Sequence, residues 1–242
     1  MKFKPVLSLF AALSLSLHPV ATAPAAAQAQ QLLNYPSIHQ PVVGEGGMVV
    51  SQNQTASLVG ARILKQGGNA VDAAVATAFA LAVTLPRAGN IGGDGFMMIH
   101  LAREDRSIFI DYRSVAPLAA RPELYLDEAG KENEAATRGY KAASVPGTVA
   151  GLYLAHRKYG SLPWAKVVQP AVDLAEKGIV LSHDEAWVFT WARDRLQASE
   201  AGKRVFFKPG GSFYKAGETW RQADLAATLK AIRDGGADAF YQ

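Results

Sequence analysis

The sequence predicts an α+β fold: one mainly helical domain with few strands. Three observations predict it. Apolar residues recur at helical spacing, with capping residues and glycine stops, in several stretches between Asn53 and Asp234. Phe96–Leu101, a polar turn at Arg103–Arg106 and Ser107–Tyr112 read as a single hairpin. Short β-branched runs such as Met48–Ser51 bring the total to only about four strand segments, too few for an ordinary α/β sheet. A Val-rich strand and a hairpin need strand partners that the chain does not obviously supply, so the domain is expected to be incomplete.

In chain order, Lys2 and Lys4, the apolar run Val6–Leu17 and the small residues Ala27-Gln28-Ala29 form a secretory signal peptide over residues 1–29. The apolar run is too short to span a bilayer, and no later stretch reads as a membrane span. An exported, periplasmic or secreted protein is the expectation. Cleavage after Ala29 removes two lysines and no acid, taking the formal charge from +4 to about +2. No basic block remains to argue for nucleic acid. With no cysteine, the chain has no disulfide, thiolate nucleophile or thiol metal site.

Residues 30–45 read as an extended leader and residues 46–242 as the folded part. Asn53 or Ser51 caps a first helix carrying Ala56, Val59, Gly60, Ile63 and Leu64; Gly67-Gly68 stop it and Asn69 caps the next. That second helix, Val71–Thr84, is almost wholly small or apolar, which predicts burial on every side. Asp72 near its start suits the helix dipole and receives no catalytic role. Pro86 ends the helix, and a turn with four glycines in seven residues follows at Gly89–Gly95. Such a turn calls for positive φ or close backbone approach.

After the hairpin, Val115–Pro117 turns the chain, Pro122–Asp127 reads as a short helix and Glu128–Arg138 as an exposed loop. Thr148 caps a helix at Val149–Lys158, with Gly147 turning the chain in tightly; Trp164–Lys177 is amphipathic and closed by Gly178. Asp184–Ser199 reads as a helix whose aromatics, Trp187, Phe189 and Trp191, form a core stripe. Phe206–Gly217 is irregular, and Gln222–Asp234 is a last helix with Leu225, Leu229 and Ile232 on one face.

Few residues carry chemistry by spacing alone. A phosphate cradle is excluded at Gly89–Gly95 because no Gly-Lys-Ser/Thr follows and Asp94 would repel phosphate; the dinucleotide spacing is also missing. His39, His100, His156 and His183 are not spaced for metal, and the serines lack a nucleophile-elbow context. Arg113, at the end of an apolar strand, reads either as a solvated charge or as a planar fork for a carboxylate.

Four ordered blocks say more: Gln66-Gly-Gly-Asn-Ala-Val-Asp-Ala-Ala-Val75, Gly89-Asn-Ile-Gly-Gly-Asp-Gly-Phe-Met97, Ile110-Asp-Tyr-Arg113 with Ala116-Pro117, and Val145-Pro-Gly-Thr-Val-Ala-Gly151. Together they closely resemble the γ-glutamyltranspeptidase (glutathione hydrolase) family, and Lys158–Gly160, Pro163-Trp164, Val168–Ala171 and Asp238–Tyr241 extend the match. The resemblance implies an N-terminal-nucleophile hydrolase αββα sandwich, of which residues 46–242 are the mostly helical N-terminal part of the large subunit. It implies a self-cleaving precursor whose small subunit begins with the nucleophilic Thr, which attacks γ-glutamyl amides such as glutathione and passes the group to water, an amino acid or a dipeptide. No cofactor or metal is implied. Arg113 matches the arginine that grips the substrate α-carboxylate, and the Gly89–Phe96 turn is scaffold beside it. Asp111 is expected to position the strand end or pair with Arg113. Ser114 stands where the family often has Glu, and Arg87 where Gln is common. The catalytic Thr, usually in Thr-Thr-His, is expected beyond Gln242, so the chain by itself is expected to be inactive. The alternatives are a related acylase, cephalosporin-type or poly-γ-glutamate-processing, and a non-catalytic truncated exported module.

Overall fold

A computed structural model describes residues 42–242. The signal peptide, most of the leader and His39 lie outside the described residues. Residues 42–47 carry no regular structure and are exposed.

The centre of the fold is a helical pair, α1 (Gln54–Lys65) and α2 (Ala70–Thr84). Asn53 caps α1 by accepting from the Ala56 amide at 3.2 Å, and its side-chain amide donates to the Thr84 carbonyl at the far end of α2, 3.2 Å away. One residue thus starts one helix and finishes the other. The expected burial of α2 is observed on most of its surface, where Val71, Val75, Ala76, Phe79, Ala80 and Val83 belong to the core, but not on all sides: Ala70 and Ala74 are exposed and Ala78 and Leu81 half-buried along one stripe.

Helices α3 (Thr148–Tyr159) and α4 (Trp164–Lys177) also contact α2, and α8 (Ala223–Gly235) packs on α4. Two small antiparallel sheets complete the scaffold. Strands β1 (Phe96–Leu101) and β2 (Arg106–Asp111) form the expected hairpin, and β3 (Ile179–Val180) pairs with β4 (Thr219–Trp220). In the hairpin, Ile99 faces Ile108 and Met97 faces Ile110 toward the core. On the other face Met98 pairs with Phe109, and Phe96 stacks on Phe109 at 5.6 Å, all three exposed.

Three expectations are corrected. Met48–Ser51 is not a strand, because no neighbouring strand is present among the described residues to complete a ladder; Val49 packs on the core instead. The helix read over Asp184–Ser199 is divided into α5 (His183–Trp191) and α6 (Arg193–Gln197), and a third helix, α7 (Glu200–Phe206), follows, capped by Ser199. The aromatic stripe is also split. Phe189 is 1% exposed, whereas Trp187 and Trp191 are 62% and 69% exposed and stack on each other 6.5 Å apart. Residues at i and i+4 share a helical face while i+2 lies on the opposite side, so this spacing never described a single face. Phe189 packs edge-on against Phe206 and Trp220, at 5.2 and 5.0 Å. Phe189→Ala should therefore cost about 3–5 kcal/mol in urea unfolding, and Trp187→Ala no more than about 0.5 kcal/mol.

Asp72 proves to be a structural hub. Fully buried, it completes a capping box with Asn69, accepting the Asn69 amide at 2.9 Å. It also accepts the Ser161 hydroxyl at 2.6 Å and the Ser161 amide at 3.1 Å, in the loop between α3 and α4. His156 lies 3.5 Å away, and its Nε2 stands 2.9 Å from the Leu162 carbonyl, so that nitrogen carries the proton. Burial alone would raise the Asp72 pKa; the Ser161 hydroxyl and the amides of Asn69, Ser161 and Leu162 outweigh it and hold the carboxyl below its ordinary value. A carboxyl depressed in the folded state stabilises the protein above its unfolded pKa, and that stability disappears as pH falls through the folded value. Asp72→Ala should cost about 3 kcal/mol at pH 7. In Asp72→Asn, stability measured by urea unfolding should fall less steeply than wild type as pH is lowered below about 4.

Candidate functional site

The site is built where the glycine turn meets the start of α3. Leu85 follows α2, and the amides of Ala88 and Gly89 both donate to its carbonyl, at 3.0 and 2.7 Å, so the chain reverses at once. The Asn90 side-chain carbonyl then accepts the Gly93 amide at 2.8 Å and the Thr148 hydroxyl at 2.7 Å. The Gly93 carbonyl in turn accepts the amides of Gly147 and Thr148, at 2.8 and 3.1 Å. Unpaired amides at a helix start need acceptors, and here a distant loop supplies one. Thr148 is thus not the cap expected from sequence. It is the first residue of α3, Gly147 stands at the cap position, and the hydroxyl is committed to Asn90.

The hairpin returns to this turn. Gly89, Gly92, Gly93 and Gly95 all avoid the left-handed region; Gly92 faces open space, whereas close approach is the operative requirement at Gly89, Gly93 and Gly95. It is clearest around Tyr112. A β-carbon at Gly95 would stand 2.8 Å from the hydroxyl end of the Tyr112 ring, and one at Gly151 of α3 would collide with the end of the ring nearest its own β-carbon. The Tyr112 amide donates to the Gly95 carbonyl at 3.2 Å. Burial first, then the nearby Asp94 charge, raises the Tyr112 pKa. The tyrosine is therefore a wedge fixing where β2 ends relative to α3. Tyr241, in α9 (Asp238–Tyr241), braces the same corner by donating to the Pro146 carbonyl at 2.8 Å and accepting the Ala150 amide at 3.2 Å.

Arg113 is the next residue. Its amide donates to the Asp111 carboxylate at 2.8 Å; Asp111 thus shapes the strand exit and makes no ion pair with the guanidinium. Val115 then bridges to Val145. The Arg113 side chain is 66% exposed, and its Nε lies 3.4 Å from Oδ2 of Asp94, itself 29% exposed. That same oxygen accepts the Ser114 hydroxyl at 2.5 Å and the Ser114 amide at 3.2 Å. The Ser114 hydroxyl, then its amide, then the Arg113 charge hold the Asp94 carboxyl below the usual range. Sequence reasoning missed Asp94, considering it only as a group that repels phosphate. Arg87 lies apart from Arg113 in its contacts and pairs with Asp184 of α5. Among the described residues, no three His, Cys, Asp or Glu side chains form a metal-ligand cluster, and no helix is long and apolar enough to cross a membrane. The arrangement presents a charged, planar donor at the surface.

Comparison with known proteins identifies the family of the chain. Residues 56–242 match the family model for gamma-glutamyltranspeptidase. A glutathione hydrolase proenzyme of Pseudomonas aeruginosa is 47% identical over 199 residues, covering 82% of this chain and 34% of that protein. An acylase proenzyme of a Pseudomonas species is 41% identical over 209 residues, covering 84% of this chain and 37% of its own. The crystal structure of Helicobacter pylori gamma-glutamyltranspeptidase superposes with a TM-score of 0.81 at 42% identity, covering 84% of this chain and 58% of that one. The fold thus defines part of an N-terminal-nucleophile hydrolase, mixed helix and sheet and about half helical here. The chain belongs to the γ-glutamyltranspeptidase family. It spans about a third of the length of the curated relatives it matches.

The Tyr112 wedge is directly testable. Gly151→Ala should cost about 2–3 kcal/mol, because the added methyl has only the aromatic ring and its neighbours to displace. Urea unfolding checks this, with the exposed Ala150→Ser as a control near zero.

Proposed function

We propose that the chain is the N-terminal part of the large subunit of a glutathione hydrolase/γ-glutamyltransferase, and that Arg113 binds the α-carboxylate of the γ-glutamyl donor. What supports this reading is a guanidinium exposed at the end of β2 in a chain of this family, tethered to an acid only through Nε. A planar fork takes a carboxylate through two parallel hydrogen bonds, which selects a free amino-acid end and orients the distal amide.

In the proposed reaction, the hydroxyl of an N-terminal Thr on the small subunit adds to the γ-amide carbon, and that residue's own amine takes the proton. The C–N bond breaks, the leaving amine gains the proton, and a γ-glutamyl ester remains. Water or an acceptor amino acid or dipeptide then takes the acyl group, regenerating the hydroxyl. The Thr is proposed to lie on a segment beyond Gln242, released by self-cleavage; the name proenzyme among the relatives supports processing. Export to the periplasm or cell exterior is proposed from the signal-peptide pattern of residues 1–29.

An acylase acting on a glutaryl side chain is the second reading, favoured by the acylase relative at 41% identity. It too would place a carboxylate on Arg113. In the full protein carrying this chain, Arg113→Lys should raise KM for γ-glutamyl-p-nitroanilide about tenfold or more with kcat little changed, because a point charge replaces the fork. An unchanged KM removes Arg113 from the site. Faster hydrolysis of glutaryl-p-nitroanilide than of the γ-glutamyl substrate by the wild type would favour the acylase.

A further inference from the structure

Resting on the reading of Arg113 as the carboxylate-binding group, we infer that Asp94 is the positioning residue that aims it. The residue directly after Arg113 is Ser114, a hydroxyl that cannot itself pair with the guanidinium charge. The carboxylate beside Arg113 comes from the glycine turn. Ser114 donates both its hydroxyl, at 2.5 Å, and its amide, at 3.2 Å, to Oδ2 of Asp94, and the same oxygen lies 3.4 Å from Nε of Arg113. Ser114 therefore fixes the acid by hydrogen bonds, and the acid faces the Nε edge of the guanidinium as an ion pair.

The geometry determines which donors stay free. A guanidinium offers a side edge that includes Nε and an end edge made of the two terminal nitrogens. Asp94 takes the Nε side, which leaves the end edge for an incoming carboxylate. The turn that carries Asp94 is fixed to α3 through Asn90 and Gly93, so the acid is anchored to the helical core rather than to a free loop. An ion pair this exposed adds little to folding stability, so its consequence is orientation. Ordering a long side chain before binding removes a rotamer cost that the ligand would otherwise meet.

The test uses the full protein carrying this chain. Asp94→Asn keeps an oxygen for the Ser114 hydroxyl but removes the charge facing Nε. It should raise KM for γ-glutamyl-p-nitroanilide about fivefold or more, with kcat within about twofold. The melting temperature should move by no more than about 2 °C. Adding Ser114→Glu to that variant returns a carboxylate beside Arg113 and should bring KM back to within about twofold of wild type. An unchanged KM in Asp94→Asn, or no rescue by Ser114→Glu, overturns the assignment. Should Asp94→Asn fail to fold, Ser114→Ala decides: a raised KM at unchanged melting temperature supports the clasp, and an unchanged KM overturns it. The two readings fail separately. If Arg113→Lys raises KM and Asp94→Asn does not, only the positioning role is lost; if Arg113→Lys leaves KM unchanged, the carboxylate site itself is lost.

Discussion

Helix α2 has no polar face to offer water, and only a narrow stripe at Ala70, Ala74 and Ala78 is left uncovered. From Val71 to Thr84 its side chains are small or apolar all round, so it is stable only when surrounded, and the other elements are arranged to surround it. A bare apolar rod would slide among such neighbours, and its polar ends prevent that. Asp72 ties its first turn to the loop between α3 and α4, and the carbonyls of Val83 and Thr84 accept side-chain amides from Gln222 and Asn53. Burial supplies the drive, and a few hydrogen bonds at the two ends set the register.

The position of Arg113 follows from that frame by short steps. The C-terminus of α2 fixes where the glycine turn begins, and the Asn90 and Gly93 contacts fix the turn against the start of α3. Because α3 itself rests on α2, both sides of the corner share one reference. Tyr112 fills the space between Gly95 and Gly151, so the last residue before Arg113 cannot shift without moving a helix. A flexible cation is thereby delivered on a rigid stem, with the mobility confined to the arginine's own torsions.

Local signals made much of this legible. Asn53 and Asn69 announced two helix starts, Gly178 one helix end, and the uniform composition of Val71–Thr84 its burial. What was not legible depends on partners remote in sequence. Thr148 looked like a cap because Thr at a helix start usually is one; nothing near it reveals that Asn90, 58 residues earlier, takes its hydroxyl. Asp72 is buried through contacts 89 and 90 residues away, and a carboxylate near a helix start gave no hint of them. Trp187 and Trp191 were misplaced for a different reason: aromatic content was read without the helical angle between alternate residues. Ser114 carried a usable signal. A short hydroxyl residue next to an exposed arginine leaves the charge to be paired from elsewhere, and Asp94 was already in the neighbouring block.

The exposure of Arg113 bears on how the proposed site would work. Two unit charges 4 Å apart attract by about 1 kcal/mol in water and about 4 kcal/mol at an effective dielectric near 20. A guanidinium two-thirds exposed therefore selects a carboxylate by geometry but holds it weakly. Strong binding requires that water be displaced around the pair. Phe96, Met98 and Phe109 form an uncovered apolar face on the hairpin that leads to Arg113, and the curated relatives are about three times the length of the matched segment. On the proposed reading, covering that face would both bury its apolar surface and lower the dielectric around Arg113. Binding strength and assembly would then be linked, while, on the same reading, Asp94 and Tyr112 would set the direction of the guanidinium beforehand.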